Sequence, residues 1–396
     1  MNELERPVDT KPEPGGQTSV PMGGVRLQSG GPGDDEMPRA HITRRQAVAV
    51  GVFVLSAIAF LYFVLPKISG PNGLTDSWRR IENGDPWWLL AGVVLELCSF
   101  AGYIALFRAV FARGYEQRIR WKESYQITMA GLAATRLFAT AGAGGVALTA
   151  WALGRSQMPA RVVACRMVAF LVLLYAVYAL SFVIAGLGLG TGLFPGGGSP
   201  ALTYVPAIIG AALIGVVGLV ALLPRDAERR LAQWGSRSGR IARFIARGVS
   251  VPATAASGVR TAIDLVRGND PKLLGAVAWW GFDICVLWAC FHAFGTAPPF
   301  AVVWMAYFIG QLGNLLPLPG GIGGVDGGLI GAFAAFGVDL NLAVVSVLAY
   351  RLIAFWLPTV PGAFAYLQLR HTVKVWKADT DEHEVPHEQV SRPAPA

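Results

Sequence analysis

The chain has 396 residues, of which 54% are hydrophobic and 15% charged, and its mean hydropathy is +0.48. So much apolar surface with so few charges excludes an ordinary soluble domain and indicates a polytopic membrane protein. The formal net charge is +8, but the basic residues lie in short loops beside apolar runs, where the positive-inside rule expects them, so no nucleic-acid partner is expected.

The first 42 residues are rich in proline, glycine and charged side chains and lack apolar periodicity. Such a segment cannot bury enough surface to offset the entropy of ordering, so 1–42 is predicted to be a disordered cytoplasmic tail. The following 20-residue run, 46–65, carries no charge. At about 1.5 Å per residue it is about 30 Å long, which matches the hydrocarbon thickness of a bilayer and predicts the first span.

Further apolar runs predict an all-α bundle of about eight spans, two elements of which are broken or re-entrant. The membrane domain is predicted at 43–370, followed by a disordered charged tail at 371–396. The runs cover 87–110, 124–153 with an interruption, 162–188, 203–223, 273–294, 300–316, 322–337 and 342–368.

Charges in the connecting segments predict the orientation. Segment 112–123 is basic, and segment 225–272 has ten Lys or Arg against four Asp or Glu. Segments 189–202 and 295–299 are uncharged. The positive-inside rule places the basic segments and both termini in the cytoplasm. Within the basic cytoplasmic segment, 225–247 is either an interfacial helix on anionic lipid or an ordinary loop.

Segment 317–328, PLPGGIGGVDGG, cannot be one regular helix. It contains six glycines and two prolines, which together cost about 12 kcal/mol of helix propensity. Its freed backbone groups must be buried in protein or line a polar cavity. The same reasoning applies to the glycine-rich stretch 141–145. Each break leaves N–H groups at the start of a short helix, where the helix dipole favours an anion such as a lipid phosphate.

Two blocks of the sequence match one another. AGAGGVALTAWALG at 141–154 precedes a helix with RMVAF at 166–170, and PGGIGGVDGGLIGAFAAFG at 319–337 precedes a helix with RLIAF at 351–355. The loop charges give the two arginine-bearing helices opposite directions, which predicts an inverted repeat. Many transporters have this architecture and bind their substrate at the repeat interface.

Ionisable residues inside the apolar runs are the candidate site residues. A charge at the bilayer centre costs about 3 kcal/mol unless it is paired or hydrated, so three acids and three arginines suggest compensation within the bundle. The predicted head-group contacts are Arg166, Arg351, Arg136, Asn314 and the N–H groups of Gly320, Gly321, Gly323 and Gly324. The residues predicted to balance charge in the cavity are Asp326, Asp283 and Glu96.

These assignments have a structural alternative. Arg166 and Arg351 could hold a phosphate in bidentate fashion, or the same charges could form ion pairs that fix helix register. Asn314 and Gln311 could bind a head group or tie two helices together.

Segment 312–338, LGNLLPLPGGIGGVDGGLIGAFAAFGV, with the arginine-bearing helix after it, resembles the transmembrane flippase domain of lysylphosphatidylglycerol synthases. The resemblance covers about 45–370 and implies movement of a lipid, or of a lipid-linked or polar envelope precursor, between leaflets. Only a short charged tail follows residue 370, so it implies the stand-alone form without the synthase domain. The family pattern has a proline and an acid at the first break, but 141–145 has neither, which leaves Asp326 without a counterpart.

The expected function is therefore that of a flippase-like protein that moves a phospholipid or lipid-linked envelope precursor across the bacterial cytoplasmic (inner) membrane. Two other functions stay open, a secondary transporter of a small polar solute and a non-transporting scaffold of an envelope-biosynthesis complex. The expected partners are a membrane phospholipid and a separate lipid-modifying or envelope enzyme, and homo-oligomerisation stays open. The sequence has no Gly-x-Ser-x-Gly or P-loop motif, and its four cysteines lack metal-ligand spacing, so no enzyme activity, metal or cofactor is expected.

Overall fold

A computed structural model describes residues 84–137, 143–222, 240–315, 321 and 323–384. The predicted tail 1–42 and the predicted first span 46–65 lie outside the described residues. Within the described part, the chain forms eleven α-helices and no strand. The helices are α1 (Pro86–Phe111), α2 (Trp121–Leu137), α3 (Ala143–Arg155), α4 (Ala160–Gly190), α5 (Pro200–Leu222), α6 (Arg240–Arg267), α7 (Gly275–Phe294), α8 (Phe300–Gln311), α9 (Gly324–Ala335), α10 (Leu340–Arg351) and α11 (Leu357–Glu384).

Five helical stretches of the described chain are long and apolar enough to cross a membrane. Helices α8 and α9 are apolar but have only 12 residues each, about 18 Å at 1.5 Å per residue, which is too short to cross a bilayer. The predicted polytopic helical bundle is thus confirmed. The five stretches are Pro86–Phe111, Ala160–Gly190, Pro200–Leu222, Pro271–Phe294 and Leu340–Trp376.

Helices α1 and α7 form the most extensive helix pair among the described residues. They run antiparallel, since Gly92 lies near Val286 while Gly102 lies against Gly275. A Cβ atom at Gly275 would be 2.1 Å from the carbonyl oxygen of Gly102. The two backbones can therefore touch only because neither position carries a side chain.

Buried apolar side chains form two large clusters on either side of this pair. One cluster joins α7, α8, α9 and α10 to the second half of α4. The other joins α1, α2, α3 and α11 to the first half of α4. The first cluster is thus built largely from the second matching block and the helix before it, whereas the other also draws on α1 and α11, and α4 contributes to both.

Both predicted breaks separate the arms of a short helical hairpin. In the α2/α3 hairpin, a Cβ atom at Gly145 would be 2.5 Å from the carbonyl oxygen of Gly131. In the α8/α9 hairpin, a Cβ atom at Gly313 would be 2.3 Å from the carbonyl oxygen of Gly324. Glycine faces glycine in both, so the arms pack closely. The breaks themselves, 138–142 and 316–320 with residue 322, lie outside the described residues.

The α2/α3 hairpin opens at the basic end of the bundle. Helix α2 follows the basic loop after α1, and α3 leads into the start of α4. There Arg166 donates from Nη1 to the carbonyl oxygen of Phe111 at 2.9 Å, which places the start of α4 beside the end of α1. Both ends of this hairpin therefore lie on the face that carries segment 112–123.

The α8/α9 hairpin opens at the opposite, uncharged end. The N–H of Asp85 donates to the carbonyl oxygen of Ala293 at 2.9 Å, so the start of α1 lies beside the end of α7. Gly198, in the uncharged segment 189–202, lies against Phe336 at the end of α9. The two hairpins thus enter from opposite faces, which is the arrangement of an inverted repeat.

Helices α10 and α11 are joined without interruption by a π-helical turn, Leu352–Trp356. In a regular α-helix the N–H of residue 358 would donate to the carbonyl of Ala354, but Pro358 has no N–H group. In the π turn the N–H of Leu357 donates to the carbonyl of Leu352, five residues back. The proline therefore removes the α-helical donor of the Ala354 carbonyl.

Helix α11 continues to Glu384, whereas 371–396 was predicted to be a disordered tail. The first residues of this stretch pack along α2. Val373 is buried, and Thr372 Oγ1 donates to Gln126 Oε1 at 2.8 Å. These contacts help to offset the conformational entropy that is lost when the segment becomes ordered, which its polar composition did not lead us to expect. Residues 385–396 lie outside the described part.

Segment 225–272 contains α6, whose side chains are described from residue 254 onward. Ala256 and Val259 are buried, and a Cβ atom at Gly258 would be 2.4 Å from Val168. This part of α6 therefore packs on α4. The stretch 225–247, predicted as interfacial helix or loop, lies outside the side chains that the structure describes.

The opposed hairpins predict which loops can be labelled from each side. We expect single cysteines at Glu116 and Ala160 to react with a membrane-impermeant maleimide from one side only. Cysteines at Thr296 and Ala335 should react only from the other side, because all four positions are exposed at hairpin or helix ends. The measurement uses sealed vesicles and a background in which the four native cysteines are replaced. Labelling of Ala160→Cys and Ala335→Cys from the same side would contradict the inverted arrangement.

Candidate functional site: a buried charge cluster

Five of the six ionisable residues predicted within the membrane meet in one place, here called the charge cluster. Each comes from a different helix. Arg136 interacts electrostatically with Glu96, Asp283 and Arg351, and Arg351 is paired with Asp326. The cluster holds three acids and two arginines, so it would carry one net negative charge if all five groups were ionised. Its members are Glu96 on α1, Arg136 on α2, Asp283 on α7, Asp326 on α9 and Arg351 on α10.

The interior of the cluster is a pair of carboxyl groups. Glu96 and Asp283 are 4% and 8% exposed, and their side chains lie within hydrogen-bonding reach of one another. Tyr307 and Tyr350 both donate to Oδ2 of Asp283, the second over 3.0 Å. Oε2 of Glu96 and Oδ1 of Asp283 are buried and have no hydrogen-bond partner among the described residues.

Arg136 connects the end of α2 to the π turn. It donates from Nη1 to the carbonyl oxygen of Phe355 at 2.8 Å and from Nη2 to that of Ala354 at 3.0 Å. The second of these is the carbonyl for which Pro358 offers no α-helical N–H donor. The guanidinium carbon also lies 5.0 Å from the centre of the Phe355 ring, a cation–π distance. Arg136, predicted to contact a head group, thus donates to two carbonyls of the π turn, and the carbonyl of Phe355 also accepts from Thr359 Oγ1 at 2.6 Å.

Asp326 and Arg351 form the accessible edge of the cluster. Arg351 Nε lies 2.6 Å from Asp326 Oδ1, and the two side chains are 13% and 21% exposed. The other carboxylate oxygen, Oδ2, accepts the N–H of Gly323 at 2.8 Å. Asp326 therefore caps the N-terminus of α9, where a negative charge is favoured by the helix dipole. The guanidinium carbon of Arg351 also lies 4.4 Å from the centre of the Phe355 ring.

The other residues predicted around the second break have mixed outcomes. Gly320 lies outside the described residues. Gly321 has a φ of +67°, a left-handed conformation that suits glycine, and Gly324 begins α9. Asn314 Nδ2 donates to Gln311 Oε1 at 2.7 Å, and this bond is exposed. The predicted N–H donor at Gly323 is already used by Asp326.

Arg166 does not share the place of Arg351, although the two matching blocks suggested a joint phosphate clamp. Its Nη1 donates to the carbonyl of Phe111 at 2.9 Å and its Nη2 to that of Arg113 at 2.7 Å. Its guanidinium lies 5.3 Å from the ring of Tyr115. Arg166 thus caps the C-terminal end of α1 at the basic face, where a cation is favoured by the helix dipole.

The different environments of the two arginines follow from one position in the repeat. The motif Gly-Gly-Val-Asp at 323–326 corresponds to Gly-Gly-Val-Ala at 144–147. Ala147 therefore stands where the second block has Asp326. Without that carboxylate, the first hairpin offers no acidic partner at this position, so the repeat is asymmetric at its charged site.

Sequence reasoning missed Tyr307; Tyr350 stands beside Arg351 in the sequence, where it suits packing and ligand binding equally well. Both are buried within apolar helices, and a buried tyrosine hydroxyl usually has a hydrogen-bond partner. That rule was the available signal. Pro358 was a second signal, because a proline inside a predicted span marks a carbonyl that needs a donor from elsewhere.

A separate cavity of about 280 Å³ lies at the basic end of the bundle, between α1, the end of α6 and the start of α7. Glu116 at its rim accepts the N–H of Gly114 at 2.9 Å, and this hydrogen bond lowers the pKa of the carboxyl group below its usual range. Three basic and two acidic side chains line the cavity, which sequence reasoning did not anticipate. They are Arg108, Arg113, Lys272, Glu116 and Asp270.

The sequence contains one pattern typical of metallopeptidases, HEVPH at 383–387. In such enzymes the pattern lies on a helix, so that both histidines share one face. Here the described part of α11 reaches Glu384, and residues 385–387 lie outside the described residues; in the sequence, Pro386 disfavours helical backbone at the residue before it. Among the described residues, no group of three or more metal-ligating side chains was found.

The class of protein follows from this geometry. A helical bundle with two opposed, glycine-packed hairpins that meet a buried charge cluster is a polytopic integral membrane protein of transporter-like architecture. The chain matches the family model described as "Lysylphosphatidylglycerol synthase TM region" over residues 46–362. It therefore belongs to the family of that transmembrane region, as the sequence predicted.

The chain is also similar to membrane proteins of an archaeon. A "UPF0104 membrane protein" of Methanothermobacter thermautotrophicus is 25% identical over 350 residues, which cover 80% of this chain and 93% of that protein. A second match with this name and organism is 34% identical over 91 residues, 23% of this chain and 26% of the relative. A third match is 36% identical over 85 residues, which cover 21% of this chain and 25% of the relative. The two shorter matches thus span about a quarter of the relatives' length.

Proposed function

We propose that the protein moves a lipid with an anionic head group, a phospholipid or a lipid-linked envelope precursor, between the leaflets of the cytoplasmic membrane. We also propose that both termini lie in the cytoplasm, as the positive-inside rule predicts. The observation that carries the proposal is the partly exposed Asp326–Arg351 pair at the meeting point of the two hairpins. Ionisable residues within a membrane domain are costly and rare, and they commonly mark substrate or ion pathways.

The surroundings of the pair favour a lipid over a free solute. Leu352 follows Arg351 directly and is 64% exposed, and Leu315, just before the second break, is 80% exposed. An exposed leucine next to Arg351 and another at the start of the break suit a site that opens sideways to the bilayer. A head group could then reach Arg351 while the acyl chains stay in lipid.

The chemistry of the pair suits a phosphate. A phosphodiester carries one negative charge and can accept two parallel hydrogen bonds from a guanidinium group. Arg351 is held by Asp326 in the structure, so a bound phosphate would replace that carboxylate. Asp326 would then act as an internal competitor that keeps Arg351 neutralised when no lipid is bound.

Reconstitution tests the proposal. In phosphatidylcholine vesicles that contain the protein, we expect labelled phosphatidylglycerol to exchange between leaflets several times faster than in protein-free vesicles. Labelled phosphatidylcholine should exchange more slowly, because its head group has no net charge to offset Arg351. Leaflet exchange is measured as the fraction of label accessible to a membrane-impermeant quencher over time.

The same vesicles separate the alternative functions. Unaccelerated phosphatidylglycerol exchange would contradict the proposal. If glycerophosphate is taken up instead, the protein is a transporter of a small polar solute. If neither probe moves and a second membrane enzyme co-purifies, the scaffold function is favoured.

A further inference from the structure

The carboxyl pair Glu96–Asp283 lies deeper than the Asp326–Arg351 edge and has no part in the proposed head-group contact. Each of its residues keeps one buried oxygen without a hydrogen-bond partner among the described residues. Burial of an unsatisfied carboxylate oxygen is expensive. A proton between the two groups would turn one oxygen into a donor and remove part of that cost.

The charges around the pair define how many protons it needs. Arg136 faces it from α2, while Arg351 on α10 lies near Arg136 and is neutralised by Asp326. One arginine therefore remains for two carboxyl groups, so the cluster is neutral when the pair holds one proton. The other titratable groups that face the pair are Tyr307 on α8, Tyr350 on α10 and Cys290 on α7 itself.

Two tyrosines fix where the proton can be. Both hydroxyl groups donate to Oδ2 of Asp283, so that oxygen is occupied as an acceptor. The atoms left to bind a proton are Asp283 Oδ1 and the oxygens of Glu96. The pair can therefore bind a proton without losing either tyrosine hydrogen bond.

We propose that Glu96 and Asp283 form a proton-binding site that takes up a second proton when an anionic head group binds at Arg351. This proposal rests on the proposed function. The arriving phosphodiester adds one negative charge to a neutral, weakly solvated cluster. A proton from water on the same side forms an O–H bond to the remaining carboxylate, and the cluster is neutral again. When the head group leaves on the other side, that O–H bond breaks and the proton leaves with it.

Infrared spectroscopy of the lipid-free protein tests whether the carboxyl pair holds a proton. The empty protein at neutral pH should show the carbonyl stretch of a protonated carboxylic acid buried away from water. We expect Glu96→Gln to lose the band and Asp283→Asn to lose or shift it, whereas Asp270→Asn, at the surface, should keep it. If the wild type lacks the band, or if Glu96→Gln retains it, the pair does not hold the proton.

Calorimetry and transport test the coupling. Titration with phosphatidylglycerol in buffers of different ionisation enthalpy should show about one proton taken up per lipid by the wild type and none by Glu96→Gln. In vesicles, an inward proton gradient should accelerate exchange of labelled phosphatidylglycerol several-fold in the wild type but not in Glu96→Gln. If the rate of lipid exchange does not depend on the proton gradient and no proton is taken up on binding, the coupling is overturned. Lipid movement itself would still stand. Absence of all exchange would overturn the proposed function, and the infrared band would still decide the proton site.

Discussion

Replacement of Arg136 by methionine is expected to cause the largest loss of stability of any single change in the charge cluster. The variant would leave the carbonyls of Ala354 and Phe355 without their charged donor. It would also remove a positive charge that balances Glu96 and Asp283. Breaking a buried ion pair from one side costs about 3–5 kcal/mol. We expect this loss as a much lower midpoint of thermal unfolding in detergent, measured by the monodisperse fraction after heating.

Arg166 provides a matched control for that experiment. Like Arg136, it donates to two backbone carbonyls and lies over an aromatic ring, but it sits at the end of the bundle without buried acids to neutralise. Arg166→Met should therefore cost less, about 1–2 kcal/mol. If both variants melt at the same temperature, carbonyl capping alone accounts for Arg136, and the charge balance proposed for the cluster is contradicted.

Neutral replacements of Asp326 and Arg351 are expected to change lipid binding in opposite directions. Asp326→Asn keeps an oxygen to cap α9 but frees Arg351, so labelled phosphatidylglycerol should bind about tenfold more tightly. Arg351→Met removes the phosphate contact and should weaken binding about tenfold, the equivalent of about 1.4 kcal/mol. Binding is measured by fluorescence titration in detergent micelles.

Measurements of stability distinguish a lipid-binding role of the Asp326–Arg351 pair from a purely structural role. Either single change should lower stability by about 1–3 kcal/mol, and the double variant should recover part of that loss because the two groups are coupled. A structural pair would give this stability pattern with no change in lipid binding, or with weaker binding in both variants. The exposed pair Lys272–Asp270, 42% and 37% exposed, supplies the control, because Asp270→Asn should change neither quantity by more than about 1 kcal/mol.

Helix positions could be predicted from the sequence because the bilayer restricts them to a narrow range of lengths. The run 162–188 became Ala160–Gly190, and the glycine-rich breaks were located by helix propensity alone. The end of α11 was missed because its apolar contacts with α2 are spaced among charged side chains. Composition averages over a segment, whereas packing depends on the few side chains, such as Leu369 and Val373, that face a neighbour.

The candidate site was predicted only in part. Burial costs correctly indicated that acids and arginines would compensate one another, but they do not say which residues pair. The likeness between RMVAF and RLIAF suggested that Arg166 and Arg351 act together. Equivalent places in a repeat need not have equivalent surroundings: Ala147 stands where the second block has Asp326, the partner of Arg351. The π turn and its need for Arg136 depend on a contact across more than two hundred residues, which no local pattern specifies.

The π turn also sets the rotational phase between two halves of one continuous helix. It accommodates one residue more than an α-helical turn, and each residue rotates an α-helix by about 100°. Helix α10 packs on α7 and α9, whereas α11 packs on α2. Deleting one residue from Leu352–Trp356 would turn one of these faces away from its partners, while substitutions that keep the length would preserve both. The spacing of the backbone, more than any one side chain, therefore holds the two hairpins in register around the charge cluster.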